Sequence, residues 1–482
     1  MQKTYLNSPI TADIAVIGAG TAGLTAFHEI SRAGCSVLLI DRGPLGTTCA
    51  RVGCMPSKAV LHAGEQWATL SQLAPGGIPS ASQTSNSLWQ HARATRDLLA
   101  RDAAERTVAE AGDRLVMGEA RFLDAETLVV GGQRISAKAF VIATGSRPIM
   151  PKFLEGLGSR VVTTDTLFEL DKLPRSIGVL GLGAIGLEMG LALARLGVRV
   201  VAGDLKSTPA GITDPEVRAR ALELFSPELT TWLGHPVEVE AVGEALRMRS
   251  GEASATVDLV LAALGRQPNV EQLDLAKAGV TMDTHGQPIV DSASLRAAGK
   301  AMLFLAGDVS PDRPLMHEAI DEGVIAARGA LHSLDKGIEK AVPARRAAMS
   351  IMFSNPDVAS VGMPYDRLDM SRTVIGTAQG SGNGRSRILG AEGNLVRVYV
   401  DRHSGMLLGA GLVAVRGEHL AHSLAWAVQR GDTVEALLAM PFYHPSIEEM
   451  LQSALKDAAK QIAANRQKDA SAGFYTNLTD RP

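Results

Sequence analysis

The strongest constraint on the fold of this chain is a pattern that occurs twice. Gly18-Ala19-Gly20-Thr21-Ala22-Gly23 follows the apolar run 13–17, opens a helical stretch that ends at Gly34, and leads into a second apolar run at 36–40. The same order returns as an apolar run at 177–180, then Gly181-Leu182-Gly183-Ala184-Ile185-Gly186, a helical stretch over 185–196 and a run at 198–202. Each third glycine precedes an aspartate by 18 residues, Asp41 in the first unit and Asp204 in the second. Strand, glycine turn, helix and strand in that order make a βαβ unit of the dinucleotide-binding kind. The glycines permit a tight turn and close approach of backbone to a pyrophosphate, and the helix N-terminus then faces the phosphate charge. Asp41 and Asp204 close the second strands, where a carboxylate accepts hydrogen bonds from an adenosine ribose. A carboxylate there repels a 2′-phosphate, so Asp204 favours NAD over NADP, with Lys206 and Arg199 as the charges that oppose it. Two dinucleotides on one chain imply one fixed redox cofactor and one diffusing substrate, and FAD plus NAD is the simplest pairing.

At 482 residues the chain exceeds one ordinary core, and about three domains are expected. Its 46% hydrophobic and 21% charged residues suit a globular chain, and a net charge of -3 offers no basic footprint for nucleic acid or a membrane surface. The two apolar glycine stretches carry no export or membrane signal, and three cysteines do not make a secreted disulfide scaffold, so a cytoplasmic location is expected. The segment 73–87, rich in Pro, Gly, Ser and Ala, reads as a surface loop. From about 343 the pattern changes to strands at 397–400 and 408–415 and helices at 417–429 and 447–465. These read as a separate α+β unit, with a frayed tail from Arg466. The expected domains are therefore 1–150 and 271–342, forming one FAD-binding unit, 151–270 for NAD, and 343–482 at the C-terminus.

Cys49-Ala50-Arg51-Val52-Gly53-Cys54-Met55-Pro56-Ser57-Lys58 carries the chemistry. Residues five apart in an ideal helix have Cα atoms about 8 to 9 Å apart, beyond disulfide reach, so a bridge requires a distortion that Gly53 and Pro56 make plausible. Arg51 and Lys58 would favour the thiolate form. The pair reads as redox-active, whereas Cys35, between helix and strand, reads as a packing residue. No metal site is expected.

The stretch 47–58 resembles the GGTCxNxGCxPSK signature of the class I pyridine nucleotide-disulfide oxidoreductases, dihydrolipoamide dehydrogenases especially. Ala143-Thr144-Gly145-Ser146, Gly265-Arg266-Gln267-Pro268-Asn269, Ala306-Gly307-Asp308-Val309 and Tyr443-His444-Pro445-Ser446-Ile447-Glu448-Glu449 are similar to further family elements, in family order. The resemblance implies two Rossmann-like domains and a C-terminal α+β dimerisation domain in an obligate homodimer. It also implies flavin contacts from Gly18, Gly20, Gly23, Asp41, Lys58, Ala120, Thr144, Gly145, Ser146, Asp308, Met316, His317 and Ala319. NAD contacts are implied at Gly181, Gly183, Gly186, Glu188, Asp204 and Gly265. Lys58 is expected to pair with Glu188, a lone acid in an apolar helix. His444, oriented by Glu449, is expected to reach the disulfide of the other subunit and move its proton.

Departures from the signature are Thr47 for a glycine, Ala50-Arg51 for Leu-Asn, and Ser446 and Glu448 for Thr and Ser. The segment 234–258 is also short, suggesting a clipped hairpin. The implied reaction is oxidation of dihydrolipoamide at Cys49, with Cys54 on the flavin side and NAD as acceptor. Its substrate would be a lipoyl domain or free lipoamide, with the acyltransferase core of a 2-oxoacid dehydrogenase complex as a candidate partner. The rival readings are an NADH-dependent reductase of another disulfide or a metal ion, and a flavin-bound NAD(H) sensor without turnover. No cysteine follows Cys54, where mercuric reductases normally add a pair.

Overall fold

The computed structural model describes residues 9–74, 78, 81–310, 314–335 and 345–479. Strand β1 (Ile10–Ile17) has its last four residues buried, as a strand covered on both faces requires. Helix α1 (Thr21–Arg32) follows on the glycine turn and buries Ala22, Ala26, Phe27 and Ile30, a three-and-four spacing along one face. Burying Phe27 and Ile30 is worth roughly 2 kcal/mol each. The helix ends where Gly34 takes a φ of +73. Cys35 is then buried in the same core as Val37, at the head of strand β2 (Val37–Asp41), and acts there as a packing residue.

The first sheet sets β1 between β2 and Gln133–Ile142, all parallel, and Leu303–Leu305 adds to the far edge. The chain leaves this sheet through Ser146–Pro148 and returns through Arg266–Pro268, and the two crossing segments pair antiparallel. Between the crossings it builds a second, five-stranded parallel sheet. The order is Thr230–Leu233, Arg199–Asp204, Ser176–Leu180, Leu259–Ala262, Val161–Thr163. A third sheet of five antiparallel strands, Met349–Met352 to Leu407–Ala414 in sequence, is covered by helices Gly417–Arg430 and Glu449–Thr479. Val396, Val398 and Val400 alternate along Leu395–Asp401 and share one core with Leu420, Leu424, Leu451 and Leu455. The fold is α/β, with two Rossmann-like units and a C-terminal α+β unit.

Three expectations are corrected. Part of 73–87 lies outside the described residues, but 81–87 is helical. It begins the 31-residue helix α4 (Ala81–Ala111), which follows helix α3 (Cys54–Leu73). The polar run is helical because it is continuous with Trp89 and Ala92, which are buried in the core of the second nucleotide unit, and Asn86 Oδ1 accepts the Leu173 N–H at 2.9 Å. The tail from Arg466 also continues a helix, to Thr479, with no proline between 466 and 479 to end it and Gly473 tolerated. The segment 234–258 is not a clipped hairpin but a three-stranded meander, Glu238–Val242, Ala245–Ser250 and Ala253–Val257, made short by two-residue turns. Among the described residues, no helix is long and apolar enough to cross a membrane.

Candidate active site

The two glycine turns are built alike. A Cβ on Gly23 would lie 1.8 Å from the Gly18 carbonyl oxygen, and one on Gly186 would lie 1.9 Å from that of Gly181, so each third glycine lets helix and turn close on each other. A Cβ on Gly20 or Gly183 would meet nothing within 4 Å, which leaves open space before both helix N-termini. Neither helix has a side-chain cap at that end, so its first N–H groups point into this space. Asp41 accepts from the Ala19 N–H at 2.7 Å and the Gly43 N–H at 2.6 Å. Asp204 accepts from Leu182 at 2.6 Å and Lys206 at 2.8 Å. The two aspartates thus brace their own turns, and a carboxylate has lone pairs left for a ribose hydroxyl.

Cys49 lies in the one-turn helix α2 (Thr48–Arg51), and Cys54 is the first residue of α3. Gly53, at φ -117 and ψ -117, breaks the chain between them. Pro56 sits undistorted in the first turn of α3, where its missing N–H costs nothing. Both cysteines are free in this structure, which describes the dithiol half of the expected redox couple. The Cys49 thiol donates to Cys54, and this, with the Lys58 charge, holds Cys54 down at about 7. The N-terminus of a 20-residue helix adds its dipole to the same effect. Cys49, carrying the shared proton and half-buried, is pushed up. Arg51 does not serve the thiolate: its guanidinium turns to the Pro44 carbonyl at 3.4 Å.

Lys58 Nζ donates to both oxygens of Glu188, at 2.9 and 3.2 Å, bringing the redox helix onto the helix of the second glycine turn. Glu188 is buried, and it also accepts from the Phe353 N–H at 3.0 Å, while Lys58 lies 4.4 Å from the Phe353 ring centroid. A buried carboxylate that accepts three hydrogen bonds from two donors is a satisfied one. Phe353 has no motif to announce it.

The crossing segments form the far wall. Ser146 Oγ donates to Asp308 at 3.1 Å and receives Arg266 Nε at 2.8 Å. Thr144 and Asn269 exchange bonds at 2.7 and 3.0 Å, one residue before Gly145. Gly265, at φ +99, makes the turn into the returning strand. Gly307, before Asp308, donates its N–H at 2.8 Å to Glu322, a buried acid that also binds Arg345 at 2.9 Å and whose carboxyl burial pushes up. Glu322 was absent from the expected set. The signal used for Glu188 did not mark it, because Glu318 and Asp321 stand beside it in the same helix. Met316 and His317 open the helix Met316–Ser333 half-exposed, with Ala319 buried behind them. Ala120 is buried in the antiparallel arm of the first sheet, paired with Val130.

His444 Nδ1 lies 2.9 Å from Glu449 Oε1, while the other carboxylate oxygen accepts the Ser446 N–H at 3.0 Å. These contacts hold the Glu449 carboxyl below its ordinary range, the Ser446 bond contributing most. The His444 side chain is 79% exposed, and among the described residues no hydrogen bond joins it to either cysteine of its own chain. Nor do the described residues contain a group of three or more His, Cys, Asp or Glu side chains able to hold a metal ion.

The family model of pyridine nucleotide-disulphide oxidoreductases matches residues 12–323, and the model of that family's dimerisation domain matches residues 348–455. This chain belongs to the pyridine nucleotide-disulphide oxidoreductase family. It is 28% identical over 467 residues to a dihydrolipoyl dehydrogenase of Geobacillus stearothermophilus, covering 93% of this chain and 96% of that one. It is 29% identical over 444 residues to a mercuric reductase of Staphylococcus aureus, covering 88% and 78%. Among solved structures, the Cu(II) complex of the HOCl-induced flavoprotein disulfide reductase RclA of Escherichia coli superposes with a TM-score of 0.81. Its identity is 22%, over 92% of this chain and 99% of that one, which is a likeness of fold. Membership implies FAD and a pyridine nucleotide as cofactors, and the open, donor-lined space before each glycine turn fits a diphosphate in both places.

Proposed function

We propose that the protein oxidises dihydrolipoamide with NAD+ through Cys49 and Cys54, using bound FAD as the electron carrier. The observation that carries this reading is the thiol pair at the head of α3, one thiol depressed to about 7, between two dinucleotide turns. In the oxidised pair, a substrate thiolate attacks the Cys49 sulfur, a mixed disulfide forms, and Cys54 leaves as thiolate. The second substrate thiol then displaces Cys49, giving the cyclic substrate disulfide and the enzyme dithiol. FAD and NAD+, when bound, supply the two-electron chemistry that returns the pair to its disulfide. Lys58, anchored by Glu188, keeps positive charge beside Cys54 whenever that sulfur is anionic. His444, its tautomer fixed by Glu449, takes and returns the substrate proton from the partner subunit of a homodimer.

NAD is favoured over NADP because Asp204 ends its strand at the ribose position. Arg199 begins that strand, about 17 Å away at 3.3 Å per residue, and donates to the Thr256 carbonyl at 2.6 Å. Lipoamide is favoured by the near-full coverage of dihydrolipoyl dehydrogenases, and a lipoyl domain in the cytoplasm is the matching partner. The rival is reduction of another disulfide or a metal ion, which similarity to a mercuric reductase keeps in view. No cysteine follows Cys54 in this sequence, where mercuric reductases normally add a pair, and this weighs against the metal-ion branch alone. The test is NADH formation from dihydrolipoamide with NAD+, repeated with NADP+ and against NADH plus glutathione disulfide or Hg(II). Turnover confined to dihydrolipoamide and NAD+ supports the proposal, while reduction of the others without lipoamide turnover replaces it.

A further inference from the structure

The turn carrying Cys49 is held from behind by α4, through a residue that no motif marks. Arg96 is 6% exposed. Its Nη1 donates to the Arg51 carbonyl at 3.3 Å and to Glu169 Oε1 at 2.7 Å, and its Nη2 donates to the Phe168 carbonyl at 3.3 Å. The Arg51 carbonyl is the last of α2 and lies in sequence between the two cysteines. Phe168 and Glu169 belong to the segment that leads into the second nucleotide sheet. Arg93 Nε, one turn earlier, donates to the same Phe168 carbonyl at 2.9 Å, and Trp89 Nε1 to that of Leu170 at 2.8 Å. One face of α4 therefore grips the nucleotide unit, and at Arg96 it also grips the redox turn.

Two further features show that this turn is built against α4. Gly46 adopts φ +110 with its α-carbon against the helix, where a Cβ would come 2.6 Å from the Ala100 carbonyl oxygen. Thr47 takes φ +57, a region that favours glycine. Its Oγ1 accepts the Ala50 N–H at 3.1 Å, and its carbonyl accepts the Arg51 N–H at 3.1 Å. A β-branched residue there is strained and persists only where its surroundings hold it. The buried guanidinium is the group placed to do so at the other end of α2.

We propose that Arg96 is a positioning residue for the thiol pair, fixing the Arg51 carbonyl and hence the distance at which Cys49 donates its proton to Cys54. The proposal rests on reading the two cysteines as working thiols, and it is independent of which disulfide they serve. Without the guanidinium α2 is free to shift, the Cys49 bond to Cys54 lengthens, and the thiolate loses its chief stabiliser.

The test measures Cys54 alkylation by iodoacetamide against pH in the purified flavoprotein, its cysteine pair first reduced anaerobically with NADH, read by peptide mass spectrometry, for wild type, Arg96→Met, Arg96→Lys and Glu169→Gln. The wild-type midpoint is expected near the depressed value of about 7. In Arg96→Met it should move toward the free-thiol value of about 8.5, with flavin content and NADH affinity unchanged. Arg96→Lys restores part of the shift. Glu169→Gln alters one of two exposed acid partners, the other being Asp97 at 2.6 Å from Nε, and gives a smaller shift of the same sign, so it decides the matter should Arg96→Met not fold. Disulfide turnover should fall about 10- to 100-fold in Arg96→Met, the scale of a misplacement near 1 Å. A wild-type alkylation profile in either folded variant overturns the proposal. Absence of lipoamide turnover in every protein, with the profile shifted, would overturn only the choice of substrate.

Discussion

At the scale of single residues, the site depends on charges placed in pairs. Lys58 is about one-third exposed and its partner Glu188 is buried, so the pair is neither a loose surface bridge nor a fully desolvated one. Lys58→Met should raise the Cys54 midpoint, though less than losing the Cys49 bond, which contributes more to the depression. It should also cost roughly 1 to 3 kcal/mol of stability, because Glu188 is left buried with only the Phe353 N–H as donor. Thiol alkylation and thermal unfolding of the same variant test both statements, and an unmoved Cys54 would remove Lys58 from the thiol chemistry. Cys49, Cys54 and Glu188 were legible in the sequence, since a spaced cysteine pair after a βαβ unit and an acid in an apolar helix both need explaining. Arg96 and Phe353 were not, because they act on backbone groups distant in sequence, which no local pattern encodes.

At the scale of elements, the helix Gly417–Arg430 is seated on a buried acid. Asp357 accepts the Glu418 N–H at 3.2 Å at the head of this helix, and burial pushes its carboxyl up to about 6, with Glu418 and Glu65 adding like charge. A carboxyl raised in the folded state favours folding most while it is protonated. Its contribution is therefore complete below the ordinary value of 3.8 and is lost as pH rises through about 6. Asp357→Asn keeps the acceptor and removes the charge. Its unfolding midpoint should exceed wild type at pH 7.5, by at most about 3 kcal/mol of stability, and match it at pH 3.5. A variant less stable than wild type at pH 7.5 would show that the ionised cap outweighs its burial. Element boundaries followed the sequence wherever apolar periodicity was present, as in β1, β2 and α1. They departed from it at 81–87 and beyond 466, where polar residues are helical by continuation from a packed neighbour.

At the scale of the molecule, the doubled βαβ pattern marked two nucleotide units and led to the expectation that 271–342 returns to the first, but it did not say which strand makes the return. The strand Leu303–Leu305 completes the first sheet only after the second has been built, and three residues carry too little periodicity to announce such a return. Assembly is the same kind of long-range question. His444 stands 79% exposed, bonded to Glu449 and to neither cysteine of its own chain, beside a matched dimerisation domain. If the proton-moving histidine serves the partner's thiols, Cys49→Ser and His444→Gln chains are each inactive as homodimers. Co-expressed with different tags and purified as the mixed dimer, they combine the intact Cys49 of one chain with the intact His444 of the other. One of the two sites is then whole, and about half of wild-type turnover should return, as two-fold symmetry requires. A site contained within one chain gives the opposite result, since every chain in the mixed dimer carries a lesion and the hybrid stays as inactive as its parents.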